Sequence, residues 1–197
     1  MDELEKAAKG MLYDANYDAA VLEKRKAAKR ILHRLNRLSP DEDVERNGLI
    51  RQLLGKTGER FVFDGQFHCD FGFNIEIGED FYANVNLVIL DGAKVVIGNN
   101  CFIAPNVGLF TAGHPLDPAR RNKGLEYALP ITIRNDVWIG GGVSVMPGVT
   151  VGDRAMIAAG TVVTKDVPPG VIFAGNPGRV IREITEKDGE RTHFSRK

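Results

Sequence analysis

The chain has 197 residues, of which 26 are Lys or Arg and 26 Asp or Glu, so its net charge is zero with histidine neutral. That length suffices for one large domain with a sizeable core, and the charge balance argues against a nucleic-acid footprint or a surface made for anionic membranes. Apolar runs fall short of the roughly 18 residues a spanning helix needs, and the start MDELEKAAKG lacks an apolar signal core, so a cytoplasmic protein is the expectation.

Residues 1–60 read as a helical cap region. Ala28, Ile31, Leu32, Leu35 and Leu38 recur three and four apart among Lys and Arg, which predicts an amphipathic helix within residues 17–38. SPDE at 39–42 then offers Ser39 as N-cap, Pro40 at the first helical position and Glu42 at the third, a capping box opening a second helix that should run to about Leu54 and stop near Gly55 or Gly58.

From residue 61 the helical period gives way to valine, isoleucine, glycine and asparagine. Ile133, Ile139, Val145, Val151, Ile157 and Val163 fall six apart, and Val137, Val143, Val149, Ala155, Thr161 and Val167 form a second row in the same register. Ile97, Ile103 and Leu109 extend the first row upstream, with Cys101 and Val107 in the second. Further back, Ile77, Ala83 and Ile89 keep the spacing but lie out of phase by two, which predicts a small insertion near Gly92. A fixed short period means a solenoid, since no single repeat buries its own apolar face. Hexads mark a parallel β-helix, each one a short strand and a turn. The fold class expected is therefore mainly β, with the β-helix over residues 61–184.

Residues 110–130, FTAGHPLDPARRNKGLEYALP, break the pattern with charge, proline and glycine. An excursion of this length from a compact solenoid points to function, and because the grid resumes at Ile133 it is a protruding loop and not a boundary. The repeat ends at VPPG; VIFAGNPGRVIREI then reads as a last strand and a short helix, and residues 185–197 as a polar tail that frays. Cys69 and Cys101 give neither metal spacing nor a disulfide framework, and Cys101 sits on the grid as a small core residue.

Hexads, a loop containing TAGHP and the ending VVTKDVPPGVIFAGNPGRVIREI, together with MLYDANYD, FHCDFGFNIEIG, FYANVN, GLEYALPITI and VWIGG, resemble the hexapeptide-repeat acyltransferases, in the maltose and galactoside O-acetyltransferase branch. The resemblance covers nearly the whole chain. It implies a left-handed parallel β-helix of triangular section with three hexads per turn, capped by N-terminal helices and assembled as a homotrimer with active sites between subunits. The hand comes from the resemblance alone, since crossovers are ordinarily right-handed. It also implies direct transfer of acetyl from acetyl-CoA, a cosubstrate, to a sugar hydroxyl, with no acyl-enzyme and no metal.

Such a transfer takes a proton from a very weak acid as the oxygen attacks, work suited to a neutral imidazole. His114 in TAGHPL matches the family's catalytic loop; His33 lies in the helix, His68 in the first strands and His193 in the tail. Asn84 in FYANVN matches the position that would stabilise the oxyanion. Tyr82, Asp70, Asp14 and Asp91 match acceptor-binding positions, where carboxylates and a phenol suit a ligand made of hydroxyls. The family's acid falls at Asp91 or one place later, at Gly92. Glu126 in GLEY either orients His114 or touches the acceptor. For acetyl-CoA the resemblance implies Trp138 beside the cleft, Gly141 and Ala159 along the pantetheine arm, and Thr164, Lys165, Arg179 and Arg182 toward the phosphates, which lysine and arginine suit as point charge and fork. Arg134 departs from the pattern, standing where most hexads carry a small residue.

Carbonic anhydrases of the γ type use the same solenoid but hold zinc with three histidines, and the body of this one offers only His68 and His114. A scaffolding solenoid would need neither the TAGHP loop nor the basic ending. An acetyltransferase of the same fold acting on a xenobiotic or on serine is the live alternative.

Overall fold

The computed structural model describes residues 1–190; His193 and the rest of the expected tail beyond Glu190 lie outside the described residues. A cap of three helices, α1 (Glu3–Ala8), α2 (Ala19–Leu35) and α3 (Asp43–Leu53), precedes a solenoid of parallel strands. Strands stack on three faces. The first carries Phe61–Phe63, Phe81–Ala83, Phe102–Ile103, Trp138–Ile139, Met156–Ile157 and Val171–Gly175; the second Phe67–Cys69, Leu87–Leu90, Gly108–Phe110, Ser144–Val145 and Val162–Val163; the third Ile75–Ile77, Val95–Ile97, Ile131–Ile133 and Thr150–Val151.

The period of six is thus one third of a coil. Ile139 pairs with Ile157 and Val145 with Val163, 18 residues on, so every sixth side chain turns into the prism. The inward residues Ile103, Leu109, Ile133, Ile139, Val145, Val151, Ile157 and Val163 have no exposed surface, and full burial of each contributes roughly 1.5–3 kcal/mol. Ile77 pairs with Ile97 and Cys69 with Ile89, 20 residues on, because the early coils carry two extra residues. One insertion is at the corner 91–94, as the phase shift at Gly92 predicts. A second lies one coil earlier, at 70–74. From Ile97 to Ile133 the partner is 36 residues on, the added length being the protruding loop.

Corners require left-handed backbone. Asp80, Asn86, Asn100, Asn106 and Asp136 supply it with φ between 54° and 61°, and Gly142, Gly148 and Gly160 do the same in later coils; Asn, Asp and Gly tolerate this region best. Arg154, at φ 57°, is the exception. Arg134 sits at a third-face corner between Gly98 and Gly152 and turns its side chain to solvent; a Cβ at Gly98 would lie 2.9 Å from its carbonyl carbon.

Two local expectations need correction. SPDE does not open a helix at Pro40: the Glu42 carboxylate accepts the Ser39 N–H at 2.6 Å, but Ser39 Oγ accepts only the Asp41 N–H, at 3.4 Å, in a turn, and α3 begins only at Asp43. Nor does GRVIREI form a helix. Gly178–Glu183 folds back antiparallel on Val171–Gly175, and the short helix α4 (Glu186–Gly189) follows it. The cap joins the main core through Ala28, Leu32 and Leu35 of α2 and Leu49, Ile50 and Leu53 of α3. Asn36 pins the end of α2 to the second face, donating to Phe67 O at 2.9 Å and accepting from Phe67 N at 3.0 Å. No described helix is long and apolar enough to cross a membrane.

Candidate active site

The loop leaves the second face after Gly108–Phe110 and is tied down at once. Thr111, fully buried, donates its hydroxyl to Leu90 O at 2.6 Å and accepts from Ala93 N at 3.0 Å. Ala112–Gly113 then pairs antiparallel with Leu125–Ala128, which pairs on its other side with Tyr13–Asp14 of the cap. A Cβ at Gly113 would lie 2.4 Å from the Tyr127 ring, so any larger residue there would have to displace Tyr127. This three-stranded sheet, invisible to a search for hexads, carries His114 and Glu126.

His114 Nδ1 lies 3.4 Å from Leu125 O, and Nε2 lies 3.9 Å from Glu126 Oε1. A carbonyl only accepts, so this contact is made by the tautomer with the proton on Nδ1, in which Nε2 is the basic atom. Glu126 is nearly buried; Tyr13 Oη donates to its Oε2 and Asn16 Nδ2 to its Oε1, both at 3.3 Å. Burial, with the Glu126 charge second, pushes the Tyr13 hydroxyl far up, which keeps it a donor.

Asp70 faces them across a cleft of about 460 Å³ shared with Arg25, Glu126, His114, Phe110 and Met146. Burial raises the Asp70 pKa and the Arg25 guanidinium, 3.5 Å away, opposes it. Arg25 also donates to Ala15 O at 3.2 Å and lies over the Phe71 ring. Asp91 does not reach this cleft. It is fully buried, and its Oδ1 accepts the N–H groups of Asp70 at 3.0 Å and Phe71 at 2.8 Å. Its expected contact with the acceptor is therefore replaced by support of the corner that presents Asp70. Gly92 is no substitute, since a Cβ there would meet Tyr13 Oη at 3.1 Å and the Ala128 methyl at 3.2 Å. Burial pushes the Asp91 carboxyl up to about 6.

The remaining predicted residues lie elsewhere. Tyr82 and Asn84 belong to the edge between first and second faces: Tyr82 Oη donates to Asp64 at 2.9 Å and accepts from Asn84 Nδ2 at 3.2 Å. The second-face strand Leu87–Leu90 runs from that edge to the one bearing Asp70 and His114, at ~3.3 Å per residue. Gly141 and Ala159 follow Ile139 and Ile157 on the Asn84 edge, where a Cβ at Gly141 would touch only Pro105 O. Trp138 stands outward on the first face between Phe102 and Met156. Thr164 and Lys165, both exposed, sit on the His114 edge one coil beyond Met146 and Pro147. Arg179 donates to Gly178 O, and Arg182 is held by Asp188 through two bonds of 2.7 and 2.8 Å, which leaves it less free for a phosphate than expected. Asp14 accepts from Asn16 N and Tyr17 N and closes a turn; the cap of α2 is Asp18, which accepts from Val21 N. Among the described residues no cluster of three or more metal-ligating side chains occurs.

One edge thus unites His114, Glu126 and Asp70, and a different edge unites Tyr82 and Asn84. Arg25, Tyr13, Asn16 and Thr111 were missed. Only Arg25 left a signal, a charge on the stripe formed by Val21, Ala28, Leu32 and Leu35.

Comparison with known proteins adds the following. Residues 6–58 match the family described as the maltose acetyltransferase hexapeptide capping motif, and residues 130–165 the bacterial transferase hexapeptide repeats. Galactoside O-acetyltransferase of Escherichia coli is 46% identical over 166 residues, spanning 84% of this chain and 82% of its own. A galactoside acetyltransferase solved in complex with coenzyme A superposes with a TM-score of 0.94 at 42% identity, covering 98% of this chain and 96% of that one. A maltose O-acetyltransferase from Clostridium difficile superposes at 0.92 with 44% identity, covering 94% and 98%.

Proposed function

The chain belongs to the hexapeptide-repeat acetyltransferases, in the branch of maltose and galactoside O-acetyltransferases, and from that membership we propose that it transfers acetyl from acetyl-CoA to a hydroxyl of a sugar, as a cytoplasmic homotrimer. The observation that carries this reading is the setting of His114, with Nδ1 against a carbonyl, Nε2 toward a carboxylate, and in front of both a cleft that also presents Asp70 and Arg25.

Acetyl-CoA supplies a thioester carbonyl and a thiolate leaving group. His114 Nε2 takes the proton of the acceptor hydroxyl as its oxygen bonds to that carbonyl, and returns the proton to sulfur as the carbon–sulfur bond breaks. Glu126 steadies the imidazolium between these events. Asp70, held by Arg25, accepts a hydrogen bond from a second hydroxyl of the sugar.

An oxyanion donor is still required, and Asn84 lies on the wrong edge to serve the His114 of its own chain. A second copy whose Asn84 edge faces the His114 edge of the first completes the site. Association is supported by the first face, where Val62, Phe102 and Trp138 are 50%, 54% and 52% exposed in one outward column, a patch of the kind that marks an interface. Gly141, Ala159 and Trp138 from one copy and Thr164 and Lys165 from the other would then flank a single coenzyme arm.

The test is thiol release from acetyl-CoA across maltose, glucose, galactosides, serine and chloramphenicol, with His114→Ala as control. A sugar-dependent signal reduced ~10²- to 10⁴-fold by the substitution supports the proposal. Unimpaired turnover in His114→Ala removes His114, and a signal from serine or chloramphenicol alone removes the sugar.

A further inference from the structure

The cleft in front of His114 continues past Asp70 and Leu90 into a second groove of about 550 Å³, between α2 and the second face. Lys29, His33 and Arg37 line its helical wall, four residues apart, and His68 and Gln66 rise from the strand side. Lys29 and Arg37, with Arg25 at the cleft end, form one cationic row leading out of the proposed active site. Asp70 is the only carboxylate among the groove-lining residues, and it is already engaged by Arg25.

The row is poorly explained by the stability of α2. Like charges four apart weaken a helix. The dipole rewards cations only in the last turn, which covers His33 and the flanking Arg37 but neither Arg25 nor Lys29. Arg30 and Arg34, on the same helix but outside the groove, are paired with Glu23 at 3.0 Å and Glu45 at 2.6 Å. Among the described residues, Lys29, His33 and Arg37 have no side-chain hydrogen bond or ion pair.

We infer that this groove is an extension of the acceptor site that takes an anionic substituent, so that the preferred acceptor is a sugar carrying a carboxylate or phosphate at a distance from the hydroxyl acetylated at His114. The inference rests on the acetyl-transfer reading above. A neutral sugar would fill the cleft and leave the cationic row to water; a charged extension pairs with Lys29 and Arg37 while Asp70 and His114 hold the reacting end.

The experiment compares maltose, maltose 6′-phosphate and the corresponding C6 uronate as acceptors of the full-length protein, and measures their binding by calorimetry alongside turnover. At low salt the anionic sugars should show kcat/KM and affinity about tenfold better than maltose, a preference that screening reduces as salt is raised. Lys29→Ala/Arg37→Ala should bring the ratio close to one while maltose turnover stays within about twofold. Which charged sugar gains more identifies the substituent. Equal use of charged and neutral sugars by the wild type overturns the inference, as does a preference that survives the double substitution. Inorganic phosphate binding as tightly as the phosphorylated sugar would also overturn it, by showing an anion pocket unconnected to the acceptor. If no sugar is acetylated yet the charged ones bind through Lys29 and Arg37, the groove assignment stands and the acetyl-transfer reading falls.

Discussion

Asp91→Asn separates the cost of a buried charge from the usefulness of the same side chain. Asp91 is fully buried; its Oδ1 receives two backbone N–H groups, while its buried Oδ2 has no protein partner. Burial moves the carboxyl from the usual 3.8 up to about 6, which at 1.36 kcal/mol per unit is about 3 kcal/mol. Because the folded chain holds this proton more tightly than the unfolded one, the stabilisation is complete below about pH 4 and is lost as pH rises through about 6. Asparagine does not titrate but keeps the Oδ1 acceptor. Urea denaturation of both proteins, at one fixed concentration because association shifts apparent stability, should show the variant gaining about 3 kcal/mol on the wild type between about pH 4 and about pH 7.5. The acceptor KM should stay near wild type, since Asp70 and Phe71 keep their acceptor. Asp91→Leu strands both N–H groups at ~1–3 kcal/mol each and should lower acceptor kcat/KM. A stability difference that stays flat across the pH range refutes the argument that desolvation governs Asp91.

Three other outcomes follow from particular contacts. Glu126→Gln removes a charge 3.9 Å from His114 Nε2; such a pair is worth about 4 kcal/mol at an effective dielectric of 20, reduced to about 1 kcal/mol by the half-exposed imidazole, so kcat should fall about five- to tenfold with the KM for acetyl-CoA unmoved, and an unchanged kcat contradicts the assignment. Trp138→Glu places a charge in the exposed column of the first face; light scattering should show loss of the oligomer and turnover should fall with it, whereas an intact assembly would move the interface elsewhere. Arg154→Asn puts a residue suited to left-handed backbone where φ is 57° and should raise stability by about 1 kcal/mol in thermal or urea unfolding.

The solenoid was legible because its physics is periodic. A side chain every sixth residue has to enter the prism, and a phase slip of two can only be an insertion at a corner, so Gly92 could be marked from spacing alone. The corner at 70–74 escaped because only half a coil of hexads precedes it, too little to establish a phase. The ends misled for a related reason. Ser39-Pro40-Asp41-Glu42 has the residues of a capping box, yet a turn in which Glu42 reaches back to Ser39 N–H uses the same donors and acceptors without a helix. In Gly178–Glu183, Arg179 and Arg182 fall three apart around Val180 and Ile181, a spacing that fits a short helix, yet all four are exposed on an edge strand.

The candidate site was legible as motifs, though Arg25, Tyr13, Asn16 and Thr111 were missed, and illegible as a place. His114 and Asn84 announce themselves by their motifs, but a triangular coil presents its loops and corners along separate edges, and sequence distance says nothing about which edge a residue occupies. Asn84 and Asp70 are 14 positions apart in a chain whose coil length there is 20, and that arithmetic already places them on different edges. Catalytic groups fixed to a rigid prism cannot close on one another by bending it, since every inward side chain is locked between coils. Under the proposed function a second prism gathers them, and the exposed column of Phe102 and Trp138 would then belong to the chemistry as much as to the assembly. The three-stranded sheet of Tyr13–Asp14, Leu125–Ala128 and Ala112–Gly113 answers the other half of the problem: it is the part of the molecule outside the coil, and therefore the part able to set His114 against Glu126 without disturbing the core.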